Sequence, residues 1–61
     1  MCLSNTYKES DHSLLMTDTS RITEEDGVLV IRDLFGDTVR IRGVITAVDF
    51  EANTVVIRTE E

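Results

Sequence analysis

The stretch that decides the fold is EDGVLVIR, residues 25–32. Within it, Asp26-Gly27 is a strong hairpin signal, because both residues tolerate the positive φ angles of a tight two-residue turn. Residues 28–31 are then apolar on both faces, which is typical of a strand in the middle of a sheet with both faces covered. The stretch therefore predicts a β-hairpin whose second strand is central.

Outward from this hairpin, short segments with strand-like composition are separated by turns. The predicted strands are residues 2–7, 13–17, 20–23, 28–32, 38–42, 44–50 and 54–59. Gly43 interrupts the alternation and predicts a bulge or a sharp bend. Residues 33–37 predict a turn in which Phe35 packs and Gly36 reverses the chain. Six or seven short strands, roughly 8–10 residues apart, predict an all-β antiparallel meander that curls into a small barrel or a two-layer sandwich. Residues 1–61 form one domain.

The size of the chain favours association with a second copy. A domain of 61 residues buries only about 60% of the surface that its unfolded chain exposes, so its own core is marginal. Small scaffolds usually add disulfides, a structural metal or a partner subunit. One cysteine excludes an intrachain disulfide, and one cysteine with one histidine excludes a four-ligand zinc site. We therefore expect a homodimer, the commonest symmetric assembly.

Charge and hydropathy exclude several classes of function. Twelve acidic and six basic residues give a net charge of −6, which disfavours nucleic-acid binding. No apolar run approaches the about 20 residues that span a membrane. Residues 1–20 lack the pattern of a secretory signal. Together with a single free thiol, these features predict a cytoplasmic protein that does not act at membranes.

Cys2 is the residue whose chemistry goes beyond folding. Removal of Met1 would place a thiol and an α-amine on one residue, and these two groups can chelate a metal. With Met1 retained, the nitrogen ligand would be a backbone amide or the terminal amine. Nitrogen donors in tetragonal geometry suit Ni(II) and Cu(II), whereas thiolates also attract Cu(I) and Zn(II). One chain offers too few ligands, so such a site needs two copies. A lone cysteine is more often a small buried hydrophobe, and the residues alone favour that interpretation.

Two short motifs resemble those of the CooT family, small accessory proteins linked to nickel insertion in carbon monoxide dehydrogenase maturation. The motifs are Met1-Cys2-Leu3-Ser4-Asn5 and Asp33-Leu34-Phe35-Gly36, and the strands rich in isoleucine and valine after them add to the likeness. The resemblance covers most of the chain. It implies an all-β homodimer that binds one Ni(II) per dimer through Cys2, with a nickel enzyme such as carbon monoxide dehydrogenase, or its maturation factors, as partner.

The remaining candidates have simpler interpretations. His12 could be an auxiliary metal ligand, but a polar turn favours an exposed histidine. No base accompanies Cys2 in a catalytic arrangement, so we expect no enzyme. A basic stripe on neighbouring strands would support the alternative function, a small interaction or RNA-binding β module without a metal. Its residues are Arg32, Arg40, Arg42 and Arg58. Few aromatic residues are present for stacking on RNA, so the sequence favours cross-strand ion pairs with Asp33, Asp37, Asp49 or the terminal glutamates.

Overall fold

The computed structural model describes residues 3–60, which form five β-strands in a closed ring. The strands are β1 (Ser4–Lys8), β2 (Leu14–Glu25), β3 (Val28–Asp33), β4 (Thr38–Asp49) and β5 (Thr54–Thr59). Consecutive strands pair antiparallel, and β1 closes the ring by pairing parallel with β5. The all-β meander is confirmed, in the form of the barrel, not the sandwich. The prediction of six or seven strands is wrong.

The strand count differs because two predicted breaks are bends within long strands. β2 continues through Asp18, which has a φ of 53°, and through a register shift between Thr19 and Arg21. β4 continues through Gly43, where a Cβ atom would overlap the backbone carbonyl of Arg58. Bulges and close approaches of this kind turn a strand without ending its ladder of hydrogen bonds. Each long strand can therefore pair with two neighbours in succession.

The turns follow from local backbone chemistry. Asp26 and Gly27 have φ angles of 52° and 79°, which confirms the predicted tight hairpin between β2 and β3. The next two hairpins are each closed by a carboxylate, that of Asp33 or Asp49. Its Oδ1 atom accepts hydrogen bonds of 2.9–3.0 Å from backbone N–H groups two to four residues further on. This use of aspartate is typical of turns.

The predicted turn at residues 33–37 is only half right. The chain does reverse at Gly36. Phe35 does not pack, since 81% of its surface is exposed. Because its neighbours in the turn already complete the backbone hydrogen bonds, the aromatic ring is not needed to close the hairpin.

The core lies inside the ring and is small. Its buried apolar residues are Met16, Leu29, Ile31, Val55 and Ile57. β3 is central, as predicted, because it pairs with both β2 and β4. Only its inward face is covered, however, and the alternate residues Val28 and Val30 remain half-exposed. In the described part of the chain, no helix is long and apolar enough to cross a membrane.

Candidate metal centre and the open end of the barrel

Cys2, the predicted metal ligand, lies outside the described residues, as does Met1. The described chain begins at Leu3, which is half-buried, and enters β1 at Ser4. What the structure describes of the candidate site is therefore the strand that follows Cys2 and the residues around it.

The start of β1 is held on both sides. Ser4 lies opposite Thr19 of β2, and the Asn5 N–H donates a 2.9 Å hydrogen bond to the Asn53 carbonyl before β5. One residue further on, the hydroxyls of Thr6 and Thr19 share a 2.7 Å hydrogen bond, and both side chains are buried. A buried polar pair is stabilising only when both partners are satisfied, so this bond helps to hold β1 against β2.

Within residues 3–60, two strand segments beside the start of β1 have a paired neighbour on one side only. In this part of the chain, pairing between β1 and β2 starts at Thr19, so residues 20–25 of β2 pair only with β3. Residues 44–49 of β4 likewise pair only with β5. Since β1 runs antiparallel to residues 14–19, the chain enters it from the side of these one-sided segments. A cleft of about 310 Å³ lies there, lined by Ile22, Thr23, Glu24, Leu29, Val44 and Ile45.

Apolar side chains are exposed at this end. Ile45 and Val48 of β4 lie opposite Ile57 and Val55 of β5, so each pair points to the same inward face of the sheet. The two β5 residues are 0% and 6% exposed, whereas Ile45 and Val48 are 43% and 47% exposed. Phe50, in the following turn, is 86% exposed. We call Ile45, Val48, Phe50 and the cleft beside them the open end.

The described residues contain no closed metal site. Within residues 3–60, no group of three or more histidine, cysteine, aspartate or glutamate side chains is placed to hold a metal ion. His12 lies in the turn after β1, at the far end of that strand from Leu3. It is exposed with a φ of 59°, and its N–H donates to the Lys8 carbonyl at 2.9 Å. The interpretation of His12 as an exposed turn histidine is confirmed.

None of the four arginines forms the ion pair predicted for it within the described residues. Arg32, Arg40 and Arg42 form no ion pair with any of the described residues. The Asp33 and Asp49 carboxylates instead accept the turn hydrogen bonds described above.

Arg58 does form an ion pair, but with a residue that the sequence did not indicate. Its Nε atom donates a 3.0 Å hydrogen bond to Glu9 Oε1. This bond, helped by the opposite charge of the partner, lowers the pKa of Glu9 and raises the pKa of Arg58. The two residues are 49 positions apart and meet because β1 and β5 pair in parallel. No local pattern signals such a contact.

The described residues thus form a small five-stranded β-barrel that carries exposed apolar side chains near the start of its first strand. The chain belongs to the CooT family, since the family profile of the CO dehydrogenase accessory protein CooT matches residues 1–58, including Cys2. The chain therefore has an accessory role towards CO dehydrogenase.

One solved structure is closely similar in fold. A crystal structure from Carboxydothermus hydrogenoformans that carries the CooT designation superposes with a TM-score of 0.90. It covers 98% of this chain and 100% of its own, at 13% sequence identity. At that identity the likeness establishes the fold alone. A comparison with curated proteins gives no match.

Proposed function

We propose that this protein is a nickel-binding metallochaperone that binds one Ni(II) per homodimer through the Cys2 thiolates and nearby backbone nitrogens. It would act in the cytoplasm, without catalysis of its own, in the maturation of carbon monoxide dehydrogenase or another nickel enzyme. The observation that carries the proposal is the apolar open end beside the strand that follows Cys2, in a chain that belongs to the CooT family.

The open end supports a second copy as its cover. Ile45, Val48 and Phe50 are all at least 43% exposed within six residues of one another in sequence, and exposed apolar side chains grouped in this way are typical of an interaction site. A stable dimer needs about 800 Å² from each partner, about a fifth of the 4286 Å² surface of this chain. A symmetric interface at the open end would use the same residues on both copies. It would also bring together the two chain segments that lead into β1.

The donor set supports nickel. Two thiolates and two nitrogens from two chains make four ligands, and nitrogen donors in square-planar geometry suit Ni(II). Each thiol must lose its proton to bind, so affinity should rise with pH towards the ordinary thiol pKa of about 8.5. Within residues 3–60 no other cluster of side chains competes for the metal. Bound nickel is cargo in this proposal and supplies no chemistry within the protein.

A metal titration tests the proposal. Ni(II) is added to the wild-type protein and to Cys2→Ser, and thiolate-to-metal charge-transfer absorbance is followed. We expect saturation near one half Ni(II) per chain in the wild type and no charge-transfer band in Cys2→Ser. His12→Ala, which removes the histidine at the far end of β1, is the matched control and should titrate like the wild type. Equal nickel affinity in the wild type and Cys2→Ser would refute the site.

The dimer needs its own test. In Val48→Asp a charge is placed at the open end, and in Leu14→Asp the same charge replaces a leucine that is 51% exposed at the start of β2. Sedimentation velocity should give a monomer for Val48→Asp and a dimer for Leu14→Asp. Nickel affinity should be lower in the variant that no longer forms a dimer. Dissociation of Leu14→Asp alone would place the interface at the other end of the barrel.

A further inference from the structure

A second surface, on the outer face of β2, β3 and β4, is not used by the proposed metal centre. Leu29 and Ile31 of β3 point into the barrel, so the alternate residues Val28, Val30 and Arg32 point outward. Residues paired directly opposite these three share the outer face. The face consists of Arg21, Thr23 and Glu25 on β2, Val28, Val30 and Arg32 on β3, and Thr38, Arg40 and Arg42 on β4.

This face concentrates positive charge on an acidic protein. It carries four of the six basic residues of the chain but only one of the twelve acidic residues, Glu25. We call Arg21, Arg32, Arg40 and Arg42, with the two valines between them, the arginine face. All four arginines are exposed. The distribution is the reverse of the chain's net charge of −6.

The arrangement does not serve the stability of the fold. None of the four guanidinium groups forms an ion pair with a described residue. Arg21 lies directly opposite Arg32, and like charges in that position repel each other. The Asp33 carboxylate next to Arg32 is already bonded within its turn. Four unpaired donors on one rigid face are therefore available to an external partner.

We propose that the arginine face docks a carboxylate-rich segment of a partner protein. Guanidinium groups bind carboxylates through paired hydrogen bonds, which gives both attraction and orientation. Val28 and Val30 lie half-exposed on the same face and supply the apolar contact that protein interfaces combine with arginine. Three strands, and the four residue intervals from Val28 to Arg32, give a face of about 10 Å by 14 Å, which matches a short extended segment.

The chemistry favours an acidic protein over a nucleic acid. Phe35 and Phe50, the two most exposed aromatic residues, lie in turns at the ends of β4 and not on this face. Without stacking residues a single strand of RNA would be held by charge alone. A long polyanion would also extend past the face onto the acidic remainder of the protein, whereas a short acidic segment would not.

Docking here is compatible with the open end. The arginine face uses residues 38–42 of β4, and the open end uses residues 45–50. The bend at Gly43 separates the two segments. A second copy and an acidic partner would therefore occupy different surfaces, and the docking proposal does not depend on nickel.

The test uses a short fluorescein-labelled peptide of alternating glutamate and serine, with a glutamine–serine peptide as its neutral counterpart. Binding to the full chain is measured by fluorescence anisotropy at low salt and at about 0.15 M salt, where exposed charges are screened beyond about 8 Å. Arg40→Gln/Arg42→Gln removes two charges from the face. Arg58→Gln removes a charge from β5, outside the face, and is the control.

We expect salt-sensitive binding of the glutamate peptide alone. Arg40→Gln/Arg42→Gln should weaken that binding by about tenfold, the sum of two exposed charge contacts, and the control by less than about twofold. Arg21→Gln/Arg32→Gln should weaken binding similarly while its melting temperature stays equal to or above that of the wild type, because a repulsive pair is removed. If these arginines served only the structure, their replacement would lower the melting temperature together with the binding.

Four results would overturn the proposal. Equal weakening by the face and control variants would mean non-specific attraction. Absence of peptide binding at low salt would remove the site. Tighter binding of a labelled oligoribonucleotide than of the glutamate peptide would assign the face to nucleic acid. A change of oligomeric state in Arg40→Gln/Arg42→Gln, seen by sedimentation velocity, would assign it to a second copy of the chain.

Discussion

β4 and β5 lie side by side on the same ladder, yet their inward-facing side chains differ in burial. Ile57 is fully buried, and Ile45, which lies directly opposite, is 43% exposed. β5 is enclosed by β4 on one side and β1 on the other, whereas within residues 3–60 this part of β4 has a paired neighbour on one side only. The burial of a side chain in a small barrel therefore depends on how many strands surround it, and an inward direction is not sufficient.

The largest expected effect is the difference in stability between replacing Ile57 and replacing Ile45. Ile57→Ala would leave a cavity in the core and should cost about 2–5 kcal/mol of unfolding free energy. That is comparable to the total stability of a domain of this size, so much of the variant should be unfolded at room temperature. Ile45→Ala should cost less than about 1.5 kcal/mol, since a half-exposed side chain loses less on truncation.

Urea unfolding, followed by circular dichroism at several protein concentrations, measures both losses. Equal losses at every concentration would contradict the asymmetry between the strands. A loss for Ile45→Ala that grows with protein concentration would indicate that a second copy covers the open end, as proposed above.

Gly43 marks the point where the pairing of β4 passes from β3 to β5, so its replacement tests the bend itself. The Cβ atom of Gly43→Ala would overlap the carbonyl of Arg58 and lie 3.2 Å from Thr59 Cα. Backbone atoms cannot move aside cheaply, and we expect a loss of about 1–3 kcal/mol. Thermal unfolding should show this loss for Gly43→Ala and a much smaller one for the exposed Thr46→Ala. A wild-type melting temperature for Gly43→Ala would mean that β4 bends elsewhere.

A smaller effect is expected at the start of β1, which has β2 on one side and β5 on the other. Thr6→Val removes the hydroxyl partner of Thr19 and leaves a buried polar group unpaired, at a cost of about 1–2 kcal/mol. The double variant Thr6→Val/Thr19→Val removes both hydroxyls and should recover part of that loss. Urea unfolding of the single and double variants completes the cycle. Strictly additive losses would contradict a direct hydrogen bond between the two residues.

The smallest effect is expected at the exposed ion pair that joins β1 to β5. Bonding to Arg58 holds the pKa of Glu9 below its ordinary value of 4.5. A carboxyl whose pKa is lowered by folding contributes stability above its unfolded pKa, and that contribution is lost as the pH falls through the folded pKa. The unfolding midpoint of Glu9→Gln should therefore lie slightly below that of the wild type at pH 7. The difference should disappear at acidic pH, and growth of the difference on acidification would contradict this assignment.

Much of the local structure could be predicted because it depends on neighbours in sequence. The hairpin at Asp26-Gly27, the reversal at Gly36 and the central position of residues 28–32 all follow from backbone preference or hydrophobic pattern. The candidate ligand, Cys2, came from its place in the sequence and from family resemblance. The position of the cysteine lies outside the described residues, so its role as a ligand stays a prediction.

The remaining features depend on which strands meet, and no local pattern contains that information. Whether a glycine or an aspartate ends a strand or only bends it depends on the partner strand beyond it, so the local pattern predicted too many strands. The parallel contact of β1 with β5 brought Glu9 to Arg58 and closed the barrel. The lack of a second paired neighbour among the described residues left Ile45 and Val48 exposed, although both are apolar strand residues. Sequence alone thus determined the turns and the strand-forming segments. Tertiary structure decided the number of strands, the open end and the arginine face, because burial and charge clustering arise only when distant segments lie side by side.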